Sequence, residues 1–379
     1  METPISSFLQ SINASTLTPI VRQSLRRDSF QLQSWQINQF AGGFGNPVSL
    51  GLYRFEGTGQ DREEQVPWSV ILKLIQSPAN VGWGDMGEGE DQTHWNYWKR
   101  ETLVYQSDLL ATLPEGMVAP RCFGWVELPG NIAGLWLEDV ADSYGGDWTL
   151  DRYALTARHL GRLNGFFGSA RPLPAFPWLS NNLTRQWIAS MIAWRTYPWD
   201  HPRVVERYFT PENNPLRRML LDSERFQAKL ALLPRALCHG DTYPSNFMSR
   251  HAADGQEQTV ALDWALVGIG PVGDDLGQFV LGACMNLKEA RRADVDEALF
   301  ASYLDGLREC GCRSDPQWVR FGFTASAALR IGLFQLMLLG EDIKRGEAVA
   351  EEAVEYPGVP DSFEVAMANE AIELLETTR

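Results

Sequence analysis

Residues 239–246 carry a combination of side chains suited to moving a phosphoryl group. The segment reads H-G-D-T-Y-P-S-N, and Asp263 follows at the end of the apolar run V-A-L-D. During phosphoryl transfer, negative charge spreads over the phosphate oxygens, and Mg²⁺, which binds carboxylates and other oxygen ligands, neutralises it. A separate carboxylate must accept or orient the attacking hydroxyl. Asp241, Asn246 and Asp263 offer the oxygens that both tasks need.

The pattern H-G-D-x-x-x-x-N, followed by an apolar run that ends in D-W, resembles the aminoglycoside phosphotransferase and choline kinase-like family, which shares the protein-kinase fold. The resemblance implies ATP as the phosphate donor and Asp241 as the catalytic base. It also implies Asn246 and Asp263 as Mg²⁺ ligands, and His239 as a brace of the catalytic loop. Taken singly, Asp241 could cap a turn and Asp263 could end a strand; their order along the chain favours phosphotransferase chemistry.

A glycine-rich segment, F-A-G-G-F-G-N-P-V, lies between two strand-like runs in the first half of the chain. Glycine lets a hairpin backbone approach phosphates closely and present N–H groups to them. The segment departs from the protein-kinase G-x-G-x-x-G, since Val48 stands at the third glycine position, and a plain turn is the alternative. The residues predicted to cover the ATP phosphates are Gly42, Gly43, Phe44, Gly45 and Asn46.

Lys73 interrupts the apolar strand V-I-L-K-L-I, where an unpaired ammonium would be costly to bury. In kinase-like folds a strand lysine holds the α- and β-phosphates of ATP and pairs with a helix glutamate. Glu101, on the helix-like stretch that follows, is the predicted partner. The alternative is a lysine on an edge strand that faces water.

The segment L-W-L-E-D-V, residues 135–140, resembles the segment that joins the two lobes in this family. There, the resemblance implies that backbone groups from Glu138 to Val140 bind adenine. An ordinary strand between the lobes is the simpler interpretation, and both can hold together.

The elements that must position these residues change character along the chain. Residues 30–140 alternate short apolar runs with turn residues, which is typical of strands, whereas apolar residues recur at helical spacing from about residue 150 onward. We therefore predict an α+β, bilobal protein-kinase-like fold with a small antiparallel-sheet N-lobe and a larger, mainly helical C-lobe. Residues 1–140 form the predicted nucleotide-binding lobe, and residues 141–379 form the predicted catalytic and acceptor-binding lobe.

Local signals refine this picture. Asp151 is the expected cap of the first long helix, and Asp274 or Asp275 is expected to cap the helix after the second motif. Helical patterns also cover residues 216–233, 295–307, 318–339 and 363–375. Residues 77–90 are rich in glycine and acidic side chains, which favours an exposed loop; a substrate lid is the alternative. Ala265 and Asn164 depart from what relatives often carry, and neither has an assigned role.

The composition excludes some functions. The chain has 379 residues, 33 Lys and Arg against 48 Asp and Glu, and a formal net charge of -15. So acidic a protein is poorly suited to nucleic acid or to an anionic membrane. We also expect no membrane span and no secretory signal, and the five cysteines, without a metal-binding spacing, favour reduced thiols in the cytoplasm.

The predicted partner is a small molecule with a hydroxyl group. Aromatic residues cluster with one acid in Q-W-I-A-S-M-I-A-W-R-T-Y-P-W-D, which suits a cationic amine, although helix packing is the more common use of such residues. Acidic residues 341–342 and 347–355 could also face a polyamine, or simply water. The acceptor is therefore an aminoglycoside, an amino alcohol, a sugar or a similar metabolite, and the oligomeric state is open.

Two other classes of function remain. One is a catalytically silent nucleotide-binding or scaffolding protein on the same fold. The other is a metal hydrolase that uses His239 and Asp241, although no further histidine lies nearby in sequence.

Overall fold

A computed structural model describes residues 4–40, 48–81, 90–181, 183–193, 197–345 and 363–377. The chain divides into two compact units. Unit 1 comprises residues 1–90, 98–110 and 119–141, and unit 2 comprises residues 91–97, 111–118 and 142–379. The predicted lobe functions for residues 1–140 and 141–379 stay predictions.

Unit 1 is built around a five-stranded antiparallel sheet in the order β1-β2-β3-β6-β5. Two helices precede the sheet, and one helix follows its third strand. The elements are α1 (Pro4–Ser11), α2 (Ala14–Leu25), β1 (Gln31–Phe40), β2 (Ser49–Asp61), β3 (Glu64–Gln76), α3 (Arg100–Gln106), β5 (Cys122–Leu128) and β6 (Ile132–Glu138). The sequence pattern predicts strands from residue 30 onward, but it does not predict α1 and α2, which precede that residue.

Strand β3 shows how alternation divides the sheet into two faces. Val70, Leu72 and Leu74 belong to the main apolar core of unit 1, which also contains side chains from α2. Because side chains alternate along a strand, Ile71 and Lys73 belong to the other face. A lysine in an apolar run is thereby placed among buried side chains away from the main core.

Unit 2 is mainly helical. Its helices are α4 (Leu150–Phe166), α5 (Leu183–Ala193), α6 (Pro202–Tyr208), α7 (Pro215–Leu221), α8 (Ser223–Leu230), α9 (Leu276–Asn286), α10 (Arg292–Glu309), α11 (Pro316–Ala327), α12 (Leu333–Arg345) and α13 (Phe363–Thr377). Two small sheets complete it. One pairs β7 (Arg235–Cys238) with β10 (Gly268–Pro271), and the other orders β4 (Met117–Val118), β9 (Glu257–Ala261) and β8 (Phe247–His251). The α+β class predicted from the sequence is confirmed.

Three local predictions need correction. Thr149, not Asp151, caps α4, and its side chain accepts a hydrogen bond from the Arg152 amide. The helical pattern over residues 216–233 is two helices, α7 and α8, which meet at Asp222. Residues 77–90 are not wholly an exposed loop, because Ser77 is buried and Pro78–Val81 forms a short 3₁₀ turn. The remainder of that segment, residues 82–89, lies outside the described residues.

The stretch Pro316–Gly340 is a continuous helical segment of 25 residues, because a π-helical turn at Ala328–Gly332 joins α11 to α12. Within the described residues it alone is long and apolar enough to cross a membrane, by length and composition, whereas the sequence predicts no such span. Sixty-one per cent of its apolar window is buried, a pattern that the core helix of a soluble protein also shows.

A buried polar cluster joins α4 to β9. His159 lies 2% exposed, and its Nδ1 is 2.9 Å from the Thr259 hydroxyl. Burial lowers the pKa of His159 to about 3, and the positive charges of Arg162, Arg152 and Arg158 act in the same direction. The imidazole is therefore neutral in the folded protein at ordinary pH.

We expect His159 to make folding stability depend on pH. An unperturbed histidine has a pKa near 6.5, so between about pH 6.5 and about pH 3 the unfolded chain binds a proton that the folded chain does not. Stability therefore falls as the pH falls through this window, by up to about 1.4 kcal/mol per pH unit. Free energies of unfolding at several pH values, measured for the parent and for His159→Gln, should differ in slope by this amount. The exposed His251, replaced by Gln, serves as the control, and equal slopes for the parent and His159→Gln would contradict the assignment.

Candidate active site

The loop after β7 carries the H-G-D motif, and its geometry requires glycine. Gly240 has φ +83°, and a Cβ built on it would lie 2.4 Å from the carbonyl oxygen of Leu266. Any larger residue would therefore be strained and would also clash with the backbone. This close approach explains the glycine between His239 and Asp241.

The carboxylate of Asp275 fixes this loop by accepting hydrogen bonds from two of its backbone amides. Its Oδ2 accepts the His239 amide at 2.9 Å, and its Oδ1 accepts the Gly240 amide at 2.9 Å. Asp275 occupies the N-cap position of α9, but its side chain makes no capping hydrogen bond to that helix. The expectation that Asp274 or Asp275 caps α9 is therefore wrong. The residue type fits an N-cap, but the loop amides, far away in sequence, take the carboxylate.

Asn164, to which the sequence assigned no role, lies at the centre of the same network. Its Nδ2 donates to Oδ2 of Asp275 at 2.9 Å and to the Leu237 carbonyl at 2.8 Å. Its Oδ1 accepts from the Tyr303 hydroxyl at 2.5 Å, and that hydroxyl accepts from the Gly273 amide at 3.0 Å. Burial raises the pKa of the Tyr303 phenol well above its usual value, so it stays a donor. A fully paired buried network of this kind fixes a unique loop position.

His239 braces the loop with both ring nitrogens. Its Nε2 lies 2.8 Å from the Leu262 carbonyl, which can only accept, so Nε2 carries the proton. Nδ1 then accepts from the Asp241 amide at 3.3 Å. The ring is buried, with its centroid 4.7 Å from that of Trp264. The geometry suits a positioning residue and gives His239 no proton to exchange with a substrate.

The carboxylate of Asp241 has a partner that sequence reasoning missed. Gln278 donates from Nε2 to Oδ1 of Asp241 at 3.1 Å and accepts the Thr242 amide on its Oε1 at 2.9 Å. Burial raises the pKa of Asp241, and the negative charge of Asp263 raises it further, while His239 acts in the opposite direction. The signal for Gln278 in the sequence is slight: it is the one amide in the first two turns of an otherwise apolar helix.

The structure brings Asn246 and Asp263 to Asp241. Asn246 donates from Nδ2 to the Asp241 carbonyl at 3.0 Å, which orients its Oδ1 away from that bond. Its own carbonyl accepts the Leu262 amide at 2.8 Å, so the residue before Asp263 is tied to the loop. Asp263 has φ 54° and ψ 70°, the left-handed region that non-glycine residues seldom adopt. Such conformations often occur at functional sites.

Asn246 and Asp263 suit a magnesium ion by the chemistry of their donors. A carboxylate and an amide oxygen are hard ligands, and Mg²⁺ in phosphoryl-transfer sites commonly keeps waters and binds substrate phosphate as well. The negative charges of Asp241 and Asp263 repel each other, so a cation between or beside them would be favoured. Within the part of the chain that the structure describes, no group of three His, Cys, Asp or Glu side chains could hold a metal ion. The hydrolase alternative therefore gains no ligand set there.

In unit 1, Lys73 and Glu101 form a buried ion pair. Lys73 Nζ lies 2.6 Å from Glu101 Oε2, and the two side chains are 10% and 1% exposed. Lys73 is placed by β3, opposite Leu52 on β2 and Leu135 on β6, and Glu101 lies in the first turn of α3. Lys73 is thus on an interior strand and does not face water. Breaking such a pair from one side typically costs about 3–5 kcal/mol.

The other predicted nucleotide contacts are less defined. The glycine-rich residues Gly42–Asn46 lie outside the described residues. Glu138 ends β6, where its amide donates to the Arg121 carbonyl at 2.8 Å and its Oε1 pairs with the Arg121 guanidinium at 3.3 Å. Its N–H is therefore engaged within unit 1, and adenine binding by backbone groups up to Val140 stays a prediction.

The aromatic candidates for acceptor binding pack against one another. The ring of Trp187 on α5 packs edge-on against that of Trp95, with the ring centroids 4.8 Å apart. Its centroid lies 5.6 Å from that of Phe334. Tyr197 lies 5.2 Å from Trp199, and burial raises the pKa of its phenol to about 12. Asp200 is exposed. Trp194, the side chains of residues 341–342 and residues 347–355 lie outside what the structure describes.

Comparisons with known proteins support the family resemblance and the fold. A model of the phosphotransferase enzyme family, APH, matches residues 149–311, which include all of the loop residues above. A search of curated protein sequences finds no match. Among solved structures, the amicoumacin kinase hAmiN has a TM-score of 0.52 at 14% identity, with 90% of this chain and 89% of that chain covered. The spectinomycin phosphotransferase APH(9)-Ia has a TM-score of 0.50 at 12% identity, with 96% and 99% covered.

A third similar structure, the choline kinase LicA from Streptococcus pneumoniae, has a TM-score of 0.44 at 14% identity, with 94% and 96% of the chains covered. The resemblance seen in the H-G-D and D-W motifs and the protein-kinase-like fold are thus confirmed. Residues 149–311 of the chain thus match the phosphotransferase enzyme family.

Proposed function

We propose that this enzyme transfers the γ-phosphate of ATP directly to a hydroxyl group of a small molecule. The observation that carries the proposal is the structure of the loop of residues 239–246. Asp241 lies close enough to Asp263 for the charge of Asp263 to raise its pKa, and the Asp241 carbonyl accepts a hydrogen bond from Asn246. A carboxylate for the hydroxyl beside a separate pair of oxygen ligands is what phosphoryl transfer needs.

In this proposal Asp241 is the catalytic base. The acceptor hydroxyl donates a hydrogen bond to the Asp241 carboxylate and gives up its proton there as its oxygen bonds to the γ-phosphorus. The bond between that phosphorus and the β,γ-bridging oxygen breaks, and ADP leaves. Gln278 holds the carboxylate in place through its 3.1 Å hydrogen bond. No covalent bond to the enzyme forms.

Asn246 and Asp263 would hold Mg²⁺, which when bound neutralises charge on the phosphate oxygens. Lys73, fixed by Glu101 at 2.6 Å, would contact the α- and β-phosphates. Residues Gly42 to Asn46 would cover them, and backbone groups from Glu138 to Val140 would bind adenine. Two of the similar structures were solved with AMP-PNP or with ADP, which supports a nucleotide as the donor.

The proposed acceptor is a small hydroxylated molecule. The similar enzymes are named for amicoumacin, spectinomycin and choline, which are all small molecules. A formal net charge of -15 favours a cationic acceptor and disfavours nucleic acid. We further propose a cytoplasmic location, since the five cysteines are free thiols, as expected in a reducing compartment.

The test combines binding with transfer. ATP with Mg²⁺ should raise the melting temperature of the protein, and a ligand at 100 times its dissociation constant stabilises by about 2.7 kcal/mol. A panel of aminoglycosides, amino alcohols and sugars should then contain an acceptor that takes up labelled γ-phosphate. Asp241→Asn is the matched control, because it should keep the thermal shift and lose the transfer.

The alternative, a silent nucleotide-binding protein, predicts the same thermal shift without transfer to any member of a broad panel. Stabilisation by ATP that does not depend on Mg²⁺, or no stabilisation at all, would contradict the proposed site itself. The filled set of polar positions, from Lys73 to Asp263, favours the enzyme.

A further inference from the structure

Arg330 lies outside the matched family region and reaches the catalytic loop from the C-terminal helices. It is part of the π-helical turn Ala328–Gly332 between α11 and α12. A π turn adds a residue to the helix and rotates the side chains that follow, and such turns are common at functional sites. Arg330 is only 13% exposed, although it carries a permanent charge.

The guanidinium of Arg330 spans two groups at the start of the loop. Nη2 donates to the carbonyl oxygen of Gly240 at 2.6 Å, and Nη1 donates to Oδ2 of Asp274 at 3.3 Å. The Gly240 carbonyl belongs to the peptide that leads directly into Asp241. A guanidinium presents its donors in a rigid planar fork, so two contacts fix the peptide more tightly than one point charge would.

Helix α5 is linked by hydrogen bonds to Arg330 in two ways: through Asp274 to the guanidinium, and directly to the backbone carbonyl. Thr184 donates from its hydroxyl to Oδ1 of Asp274 at 3.2 Å, and Asp274 is 3% exposed. Trp187, one turn further along α5, donates from Nε1 to the Arg330 backbone carbonyl at 3.2 Å. A continuous set of hydrogen bonds therefore runs from α5 through Asp274 and Arg330 to Gly240.

We propose that Arg330 is a positioning residue for the reaction: the π-helical turn aims its guanidinium at the Gly240 carbonyl, which sets the orientation of Asp241 and couples the loop to α5. Asp275 accepts a hydrogen bond from the Gly240 amide, and Arg330 donates one to the Gly240 carbonyl. Both backbone polar groups of Gly240 are therefore held by side chains. The inference rests on the proposed function for its catalytic consequence, but the loop contact is independent of it.

The deciding variant is Arg330→Lys. Lysine keeps a cation beside Asp274, so the fold is retained, but a single ammonium cannot reproduce the fork that also reaches Gly240. We expect kcat to fall by about 10²-fold, the loss typical of a small misplacement of a catalytic group, with KM for ATP unchanged. Arg330→Gln, which also removes the charge, should lose more. The probe is Mg-ATP with water as the phosphoryl acceptor, followed as ADP release, and then with any acceptor found in the panel.

The matched control is Arg235→Lys. The Arg235 guanidinium also bonds two backbone carbonyls in unit 2, those of Asn181 at 2.7 Å and Ile269 at 2.6 Å, without contacting the loop of residues 239–246 in its described bonds. This variant should keep the parental kcat.

Amide hydrogen exchange provides a readout that does not depend on turnover. A peptide covering residues 237–247 should exchange faster in Arg330→Lys than in the parent and in Arg235→Lys, whereas the rest of unit 2 should be unchanged. Parental kcat together with parental exchange in Arg330→Lys would overturn the inference. So would faster exchange throughout unit 2, which would indicate a general loss of stability. If the parent itself turns over no ATP, the proposed function fails, and the exchange of residues 237–247 alone decides whether Arg330 positions the loop.

Discussion

Asp241→Asn should lower phosphoryl transfer by about 10²–10⁴-fold, the contribution usual for a positioned acid–base group. Asparagine has nearly the same shape and keeps an oxygen to accept the 3.1 Å bond from Gln278, so the loop should keep its structure. What it lacks is the negative charge that takes the proton of the acceptor hydroxyl. ATP affinity should change little, because Asp241 is not among the residues proposed to hold the metal or the phosphates.

The measurement is steady-state transfer to an acceptor, with ATP affinity determined separately by titration. The control is Asp254→Asn, which changes an exposed aspartate in the turn between β8 and β9 of the same unit and should keep full activity. A variant at Asp241 that transfers phosphate as fast as the parent would remove the catalytic base from the mechanism.

Asp263→Asn should instead weaken the binding of Mg-ATP. Losing a residue that merely supports a metal ligand costs roughly 10–100-fold in affinity, so a direct ligand should cost at least as much. Asparagine is preferable to alanine here, because Asp263 has φ 54° and asparagine tolerates the left-handed region better than alanine does. Asp263→Ala should therefore show the same loss of Mg-ATP affinity together with some loss of stability.

The test is a titration of nucleotide at several Mg²⁺ concentrations, and weaker binding should appear only when Mg²⁺ is present. Asp305→Ala, on the surface of α10 with a side chain 60% exposed, is the control for removing one acid from a strongly negative protein. If Asp263→Asn binds Mg-ATP with parental affinity, the metal-ligand assignment fails even if Asp241 is essential.

Much of the candidate site is predictable because its signals are local. His239, Asp241 and Asn246 lie within one short segment, so their spacing along the chain already indicates a shared loop. Lys73 is recognised because it is a charged residue in an otherwise apolar strand, which requires no knowledge of the fold. Its partner is also found from sequence, since α3 is the helix that follows β3. The same local signals mislead at Asp275, where an acid before an apolar helix is typical of a cap, and at Asp222, where continuous periodicity hides a break between helices.

The sequence by itself supplied the residue types that could accept a proton and hold a hard cation, and the order in which they resemble a phosphotransferase family. Only the tertiary structure decided how the loop is held, through Asn164, Asp275, Gln278 and Arg330. Asp275 bonds the loop from 36 residues away, Arg330 from 90, and the Asn164–Asp275 bond spans 111. Periodicity and capping rules describe neighbours a few residues apart, so they carry no information on which distant donor fills a buried carboxylate. That choice is made when helices pack and each buried polar group must find a partner.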